Sequence, residues 1–337
     1  MDDNNINTRR QLNAPVYFGD ANTPPDNPLT DAGIDLGRHL FYEKKLSADS
    51  SISCASCHQQ SKAFTDGKAF SDGINGKTPR SAMSLANLAW KNHFFWDGKF
   101  ESLEEQALHP IEDPIEMDLP LAEAIERLSA SPLYREKFHS AFGSDEVSGD
   151  RIAKALAQFQ RTLVSGTSKY DQYKKGEASF TEQEKRGEKL FFTHPEPEIG
   201  LRGGDCGDCH SGALTRMQSF HNNGLDKEFD DPGRGGITGH SHDMGKFTIP
   251  TMRNIAITGP YMHDGRFETL EEVLDHYNEH IQQSTTLSPL LRKGFNEIGS
   301  DQLNLTDQEK EDIIVFLHTL TDEAFIQNQK FSNPHEK

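Results

Sequence analysis

Residues 53–58 read "SCASCH" and residues 205–210 read "DCGDCH", so the frame Cys-x-x-Cys-His occurs twice, at Cys54, Cys57 and His58 and at Cys206, Cys209 and His210. The chain has 4 cysteines and all lie inside these two frames. Two thiols separated by two residues reach the two vinyl groups of one haem, and the histidine that follows at once can swing its imidazole onto the iron. The spacing therefore predicts two covalently bound haem c groups. Other uses of the cysteines fit less well. A thioredoxin-like pair has no need of a histidine in both copies, a zinc site would join pairs far apart in sequence and leave both histidines idle, and nothing else in the chain looks like a disulfide-stapled scaffold.

The segments ahead of the frames also match. "DLGRHLFYEKKLSADSSISCASCH" and "KRGEKLFFTHPEPEIGLRGGDCGDCH" share Gly-x-x-Leu-Phe, at Gly37–Phe41 and Gly187–Phe191. This reads as an internal duplication. Each copy falls on an expected helix, the second opened by a capping box of Thr181 and Glu184, and Leu40, Phe41, Leu190 and Phe191 are expected in the core. "PLAEAIERLSASPLYREKFHSAFG" and "DRIAKALAQFQRTLVSG" space apolar residues by three and four, with Ile152, Leu156, Phe159 and Leu163 on one face. "LTDQEKEDIIVFLHTL" repeats the pattern behind a Thr306–Glu309 box. The expected fold is mainly α, two cytochrome c-like haem domains with long ordered loops, spanning 1–168 and 169–337. The join is expected near 165–180, where apolar periodicity lapses.

Composition sets the outer limits. The chain has 337 residues, enough for roughly two domains. Its 35 basic and 53 acidic residues give a net charge of -18, which argues against nucleic acid or an anionic membrane as partner. Hydrophobic content is only 34%, so a buried prosthetic group would supply part of the core. No apolar run reaches the roughly 20 residues of a membrane span, and the start, "MDDNNINTRRQLNAP", is polar. A periplasmic location is expected, with an export signal removed.

Beyond the frames, "LGRHLFYEKKLS", "FWDG", "EQALHPIEDPIEM" and "FTIPTMRNIAITGPYMHDGRFETLEEVLDHYN" resemble the bacterial dihaem cytochrome c peroxidase family, including its methylamine-utilisation (MauG-like) branch. The resemblance covers nearly the whole chain. It implies a peroxidatic haem in the N-terminal domain with His58 as proximal ligand, and an electron-relay haem in the C-terminal domain with His210. Glu116 then falls at the distal carboxylate position, where peroxide must lose a proton from one oxygen and gain it on the other. Gln106 and Pro110 match positions lining the same pocket. Trp96 matches a tryptophan between the haems that passes electrons, whereas Trp90 is expected to be core.

Three departures stand out. The loop 65–85 holds no histidine where reductively activated peroxidases keep a distal ligand; the position falls near Gly73 and Ile74, so the first iron is expected to be open, and His93 or His109 would be the suspects if it were capped. The sixth ligand of the second haem is left between Met244, Tyr261 and Lys246, with Met262 and His263 close by; a thioether would raise the potential and a phenolate lower it. Ser81 stands where relatives often carry an asparagine that helps bind calcium, so one calcium ion is an expectation with uncertain ligands. The implied activity is reduction of hydrogen peroxide with electrons from a small cytochrome c or cupredoxin, or from side chains of a partner protein substrate. A plain dihaem electron carrier fits less well, because a carrier has no use for a vacant iron. A monomer or homodimer is expected.

Overall fold

The computed structural model describes residues 8–212, 214, 218–292 and 294–336. Helices dominate, and the strands among these residues form two short antiparallel ladders, Asp72–Gly73 with Gly76–Lys77 and Phe220–His221 with Phe247–Thr248. None of the described helices is long and apolar enough to cross a membrane.

The chain divides into two compact units. The first comprises residues up to Phe94, Phe100–Ser165 and the end from Phe325; the second comprises Phe95–Lys99 and Gly166–Ala324. Two segments thus lie on the other side of the expected division at 168. The C-terminal segment joins the first unit because Phe325 and Phe331 pack their rings 5.5 and 6.4 Å from Phe64. Residues 95–99 join the second because the Trp96 carbonyl accepts from the Thr248 amide at 2.8 Å and Arg234 Nη1 donates to the Gly98 carbonyl at 2.7 Å.

In the first unit the helix Asp31–Phe41 starts where the Thr30 side chain accepts from the Gly33 amide, and it packs against the helix Gly149–Arg161. Leu36, Leu40, Phe41, Ile152, Leu156, Phe159 and Leu163 are all at most 1% exposed, so the expected apolar face is the core. Burying each such side chain stabilises by roughly 1.5–3 kcal/mol. The helices approach so closely at Gly37 that a Cβ there would lie 1.9 Å from the Ala155 carbonyl oxygen. The segment 120–143 forms two helices, Leu121–Ser129 and Pro132–Phe142. Pro132 opens the second, where its missing N–H costs nothing.

The second unit repeats this arrangement. Helix Glu182–Phe192, opened by the expected Thr181–Glu184 box, packs against Asp307–His318, opened by the Thr306–Glu309 box. A Cβ at Gly187 would lie 1.9 Å from the Asp312 carbonyl oxygen. The expected join is not a bare linker. It holds a helix, Lys169–Lys174, capped by Ser168 and Asp171, with Tyr173 stacked on Phe180 at 4.0 Å. Short length hid it, since one and a half turns cannot display a period.

Candidate functional site

Each unit then builds a second shared feature from its own residues. Asn87 and Asn254 sit at φ +61° and +64°, a conformation that asparagine tolerates better than most residues. Their amides donate to the carbonyls of Leu163 at 2.8 Å and Leu320 at 3.0 Å. Their side-chain oxygens accept from Ser165 N at 2.9 Å and Asp322 N at 2.8 Å. Antiparallel bridges follow, Phe94 to Phe100 and Tyr261 to Phe267. Phe95 and Met262, one step into each turn, share φ near +70°, at 67° and 75°. Each turn delivers a capped helix, Leu103–Glu112 behind Ser102 and Leu270–Glu279 behind Thr269. These helices carry residues onto the two cavities that hold the cysteine frames.

The first cavity, about 50 Å³, is lined by Cys54, Cys57, His58, Gln106, Pro110 and Glu116, with Gly73 and the apolar side chains of Phe41, Leu85 and Leu156. The structure thus gathers every first-site residue expected from the sequence. His58 Nδ1 lies 2.8 Å from the Phe64 carbonyl, which can only accept, so Nδ1 carries the proton and Nε2 keeps its lone pair. Burial pushes the Cys54 thiol up to about 12 and the Cys57 thiol up to about 11, and the Glu116 charge adds to both. The carboxylate of Glu116 is therefore close to the frame.

Gly73 explains the missing distal histidine. A Cβ at this position would lie 2.0 Å from the Ile115 carbonyl oxygen. The hairpin is sewn to the Glu116 segment instead: Ile74 N donates to the Glu116 carbonyl at 2.8 Å, and Asn75 Nδ2 donates to Pro114 O at 2.8 Å and Asp118 Oδ2 at 2.7 Å. Neither His93 nor His109 lines the cavity; the His109 ring packs 5.3 Å from Phe100 and its Nε2 is 3.6 Å from Asp113. Trp90 is core, as expected, 7% exposed with its indole N–H donating to Gly19 O.

The second cavity, about 330 Å³, is lined by Cys206, Cys209 and His210 within a mainly apolar wall that includes Phe191, Ile255 and Leu274. Cys206 and Cys209 are pushed up to about 12 and 11, chiefly by burial. The donor set and the apolar wall fit a haem here as in the first unit. Trp96 belongs to this cavity.

Of the sixth ligands expected from the sequence, two lie away from this cavity and one lines it, with Met262 and His263 beside it. Met244 and Lys246 do not line the cavity: Met244 packs over Gly235, and Lys246 Nζ lies 3.5 Å from Asp243. Tyr261 lines it, but its hydroxyl donates to the Ile255 carbonyl at 3.0 Å within the core, and its counterpart Phe94 has no hydroxyl at all. A second phenol on this wall, Tyr277, was not singled out from the sequence. It lines the cavity and its phenol is pushed up to about 12, mostly by burial and further by the nearby Cys209 and Cys206. The signal was available: "FFWDGKFESLEEQALHP" and "YMHDGRFETLEEVLDHY" superpose, pairing Phe94 with Tyr261, Trp96 with His263, Gln106 with Val273 and Pro110 with Tyr277. Among the described residues, the group of three His, Cys, Asp or Glu donors close enough to share an ion is His194, Asp205 and Asp208 in the second unit.

The family model for di-haem cytochrome c peroxidase matches residues 31–179. The methylamine utilization protein MauG of Methylorubrum extorquens is 38% identical over 302 residues, covering 88% of this chain and 80% of that protein. The cytochrome c551 peroxidase of Nitrosomonas europaea is 34% identical over 315 residues, covering 92% and 84%. Among solved structures, a MauG-like protein associated with microbial copper homeostasis superposes with a TM-score of 0.85 at 39% identity, covering 96% of this chain and 99% of that one. The diheme peroxidase BthA from Burkholderia thailandensis, at 20% identity and a TM-score of 0.73 over 97% of this chain and 99% of that one, shares the fold. With its helical units, paired frames and these relatives, the chain belongs to the dihaem cytochrome c peroxidase family, MauG-like members included, and is an oxidoreductase of the peroxidase type.

Proposed function

We propose that the protein holds haem c through thioethers at Cys54 and Cys57 and at Cys206 and Cys209, with His58 and His210 as proximal ligands, and that it reduces hydrogen peroxide in the first unit with electrons drawn through the second from side chains of a partner protein. The two units are read as an internal duplication, and the observation that carries the function is how their distal faces differ. Gly73 and Pro110 bring no phenol, imidazole or thioether to the first cavity, where Glu116 and Gln106 stand, whereas Tyr277 puts a phenol on the second.

When bound, haem supplies the iron that accepts peroxide and passes electrons to it. Around it, Glu116 takes the proton from one peroxide oxygen and returns it to the other, and Gln106 offers an amide to hold the substrate. Peroxide takes up two electrons and two protons and leaves as two waters. The hairpin 72–77 keeps Glu116 facing the cavity through its backbone bonds to residues 114–116. Trp96, whose carbonyl is pinned by Thr248, is an oxidisable indole on the wall of the second cavity and serves as the relay. Tyr277 would hold the second iron through its phenol oxygen; an oxygen donor favours the oxidised metal more than a thioether does, which supports storage of oxidising equivalents and hence a protein side chain as electron source. Haem attached covalently would support a periplasmic location.

The second reading takes electrons from a small cytochrome c or cupredoxin, and the relative named a cytochrome c551 peroxidase favours it. One experiment separates the two. The fully oxidised protein, never reduced, should show one high-spin and one low-spin haem and react with peroxide at once. Steady peroxide turnover with a reduced small cytochrome c or cupredoxin selects the second reading. Consumption limited to the stoichiometry of the protein, with oxidised residues appearing on a protein encoded beside it, selects the first. Two low-spin haems that react only after one-electron reduction would overturn the open first site.

A further inference from the structure

We infer that Asn223 is a positioning residue for the second haem site: its side-chain amide holds the Tyr277 phenol on the cavity wall, where its oxygen would bind the iron, and it thereby sets that site's spectrum and reduction potential. The inference rests on the reading of Tyr277 as sixth ligand. Asn223 Nδ2 donates to the Tyr277 hydroxyl oxygen at 3.1 Å and to Met262 Sδ at 3.3 Å, so both amide protons are engaged on the cavity wall.

The amide is itself held from several sides. Its backbone carbonyl lies 3.0 Å from His276 Nε2, the residue beside Tyr277 on the same helix. A carbonyl only accepts, so His276 is the donor. Asn222, 2% exposed, fixes the turn by donating to Ser284 Oγ at 3.0 Å and Thr286 Oγ1 at 2.9 Å while accepting from Gly224 N at 2.8 Å. Gly224, at φ +75°, lets the chain turn where a Cβ would meet Ile281 at 2.5 Å. Backbone and side chain of Asn223 are thus both tied to the helix that carries the phenol.

The first cavity has no phenol to hold. Pro110 stands where Tyr277 does, and a side-chain amide that shares its cavity, that of Gln106, matches Val273 rather than Asn223. His109, the counterpart of His276, faces Phe100 in the same way that His276 faces Phe267, at 5.3 and 5.5 Å. The ring is retained in both units, while the phenol and the amide that donates to it are found in the second.

A hydrogen bond donated to a ligand oxygen withdraws electron density from the metal, so its removal should lower the midpoint potential. The test uses the haem-loaded protein and reads the second haem. Asn223→Leu, similar in size but without a donor, should lower that midpoint by about 59 mV, a tenfold change in the one-electron equilibrium. Its low-spin signal should broaden or split, while the high-spin signal of the first haem stays unchanged. Should Asn223→Leu fail to load haem, Asn223→Asp removes the same donor in the same volume and carries the test through the same spectral change. Tyr277→Phe provides the control. If it leaves the second haem's spectrum unaltered, the ligand reading falls and the inference with it. If it abolishes the low-spin signal while both Asn223 variants leave spectrum and potential as they were, the ligand reading stands and the role of Asn223 is overturned.

Discussion

The two units use the same backbone devices and part company at a few side chains. Each crosses two helices at a glycine whose Cβ would sit 1.9 Å from a carbonyl oxygen, each turns at an asparagine in the left-handed region, and each presents a capped helix to its cavity. The first then offers Gln106, Pro110, Glu116 and Gly73; the second offers Val273, Tyr277 and Asn223. One scaffold can therefore serve two reactivities, because the contacts that fix it are close packing and backbone hydrogen bonds that do not depend on the distal side chains.

The sharpest way to break the comparison is to remove one attachment site at a time. Cys206→Ala with Cys209→Ala should leave one haem per denatured chain in a pyridine haemochrome assay, and Cys54→Ala with Cys57→Ala should do the same. Either pair leaving two haems would refute the equivalence. A smaller but still large effect tests a difference between the units. Arg253 and Asp171 form an ion pair at 2.7 Å with both side chains fully buried, while the position matching Arg253 in the first unit is Ala86. Arg253→Met strands a buried carboxylate, and removing one partner of such a pair costs about 3–5 kcal/mol. Denaturation followed at the second haem should show that loss; a change below about 1 kcal/mol would mean that the hydrogen bonds left to Asp171, those from Ser168 N and Oγ among them, satisfy it. Next in size is Glu116→Gln, which keeps the side-chain volume and should slow the peroxide reaction by about 10² in stopped flow while both haem spectra persist. An unchanged rate would remove Glu116 from the proton path.

Much of this architecture was legible in the sequence because it depends on short, local signals. The capping boxes at Thr181 and Thr306 needed only a threonine three residues ahead of a glutamate, and the core face of Gly149–Arg161 needed only its period. The paired frames announced both cavities. What escaped depended on contacts remote in sequence. Phe325 and Phe331 join the first unit by packing on Phe64, which no periodicity encodes. Tyr277 was passed over because its helix reads as an ordinary amphipathic segment. Only its placement opposite Pro110 in the repeated turn-and-helix gives the phenol a meaning. The loop ligands Met244 and Lys246 looked plausible by offset along the chain, and the fold turned both away from the cavity.

The smallest effect tests the shared scaffold itself. At Gly37 an added methyl group would meet Ala155 O at 1.9 Å and Phe159 Cβ at 2.9 Å; at Gly187 it would meet Asp312 O at 1.9 Å and Phe316 Cβ at 2.8 Å. In both places the obstacle is backbone, which cannot rotate aside as a side chain could. The helices must therefore separate, and overpacking of this kind costs about 1–3 kcal/mol. Alanine is the better helix former by roughly 1 kcal/mol, so the net loss should be modest and, because the neighbours match atom for atom, nearly equal at the two sites. Thermal unfolding of Gly37→Ala and Gly187→Ala, each followed at the haem of its own unit, measures this directly. Equal losses mean that the crossing is one design used twice. A loss at one site and none at the other would mean that only one crossing is held rigidly, and that the likeness of the two units stops at their backbone trace.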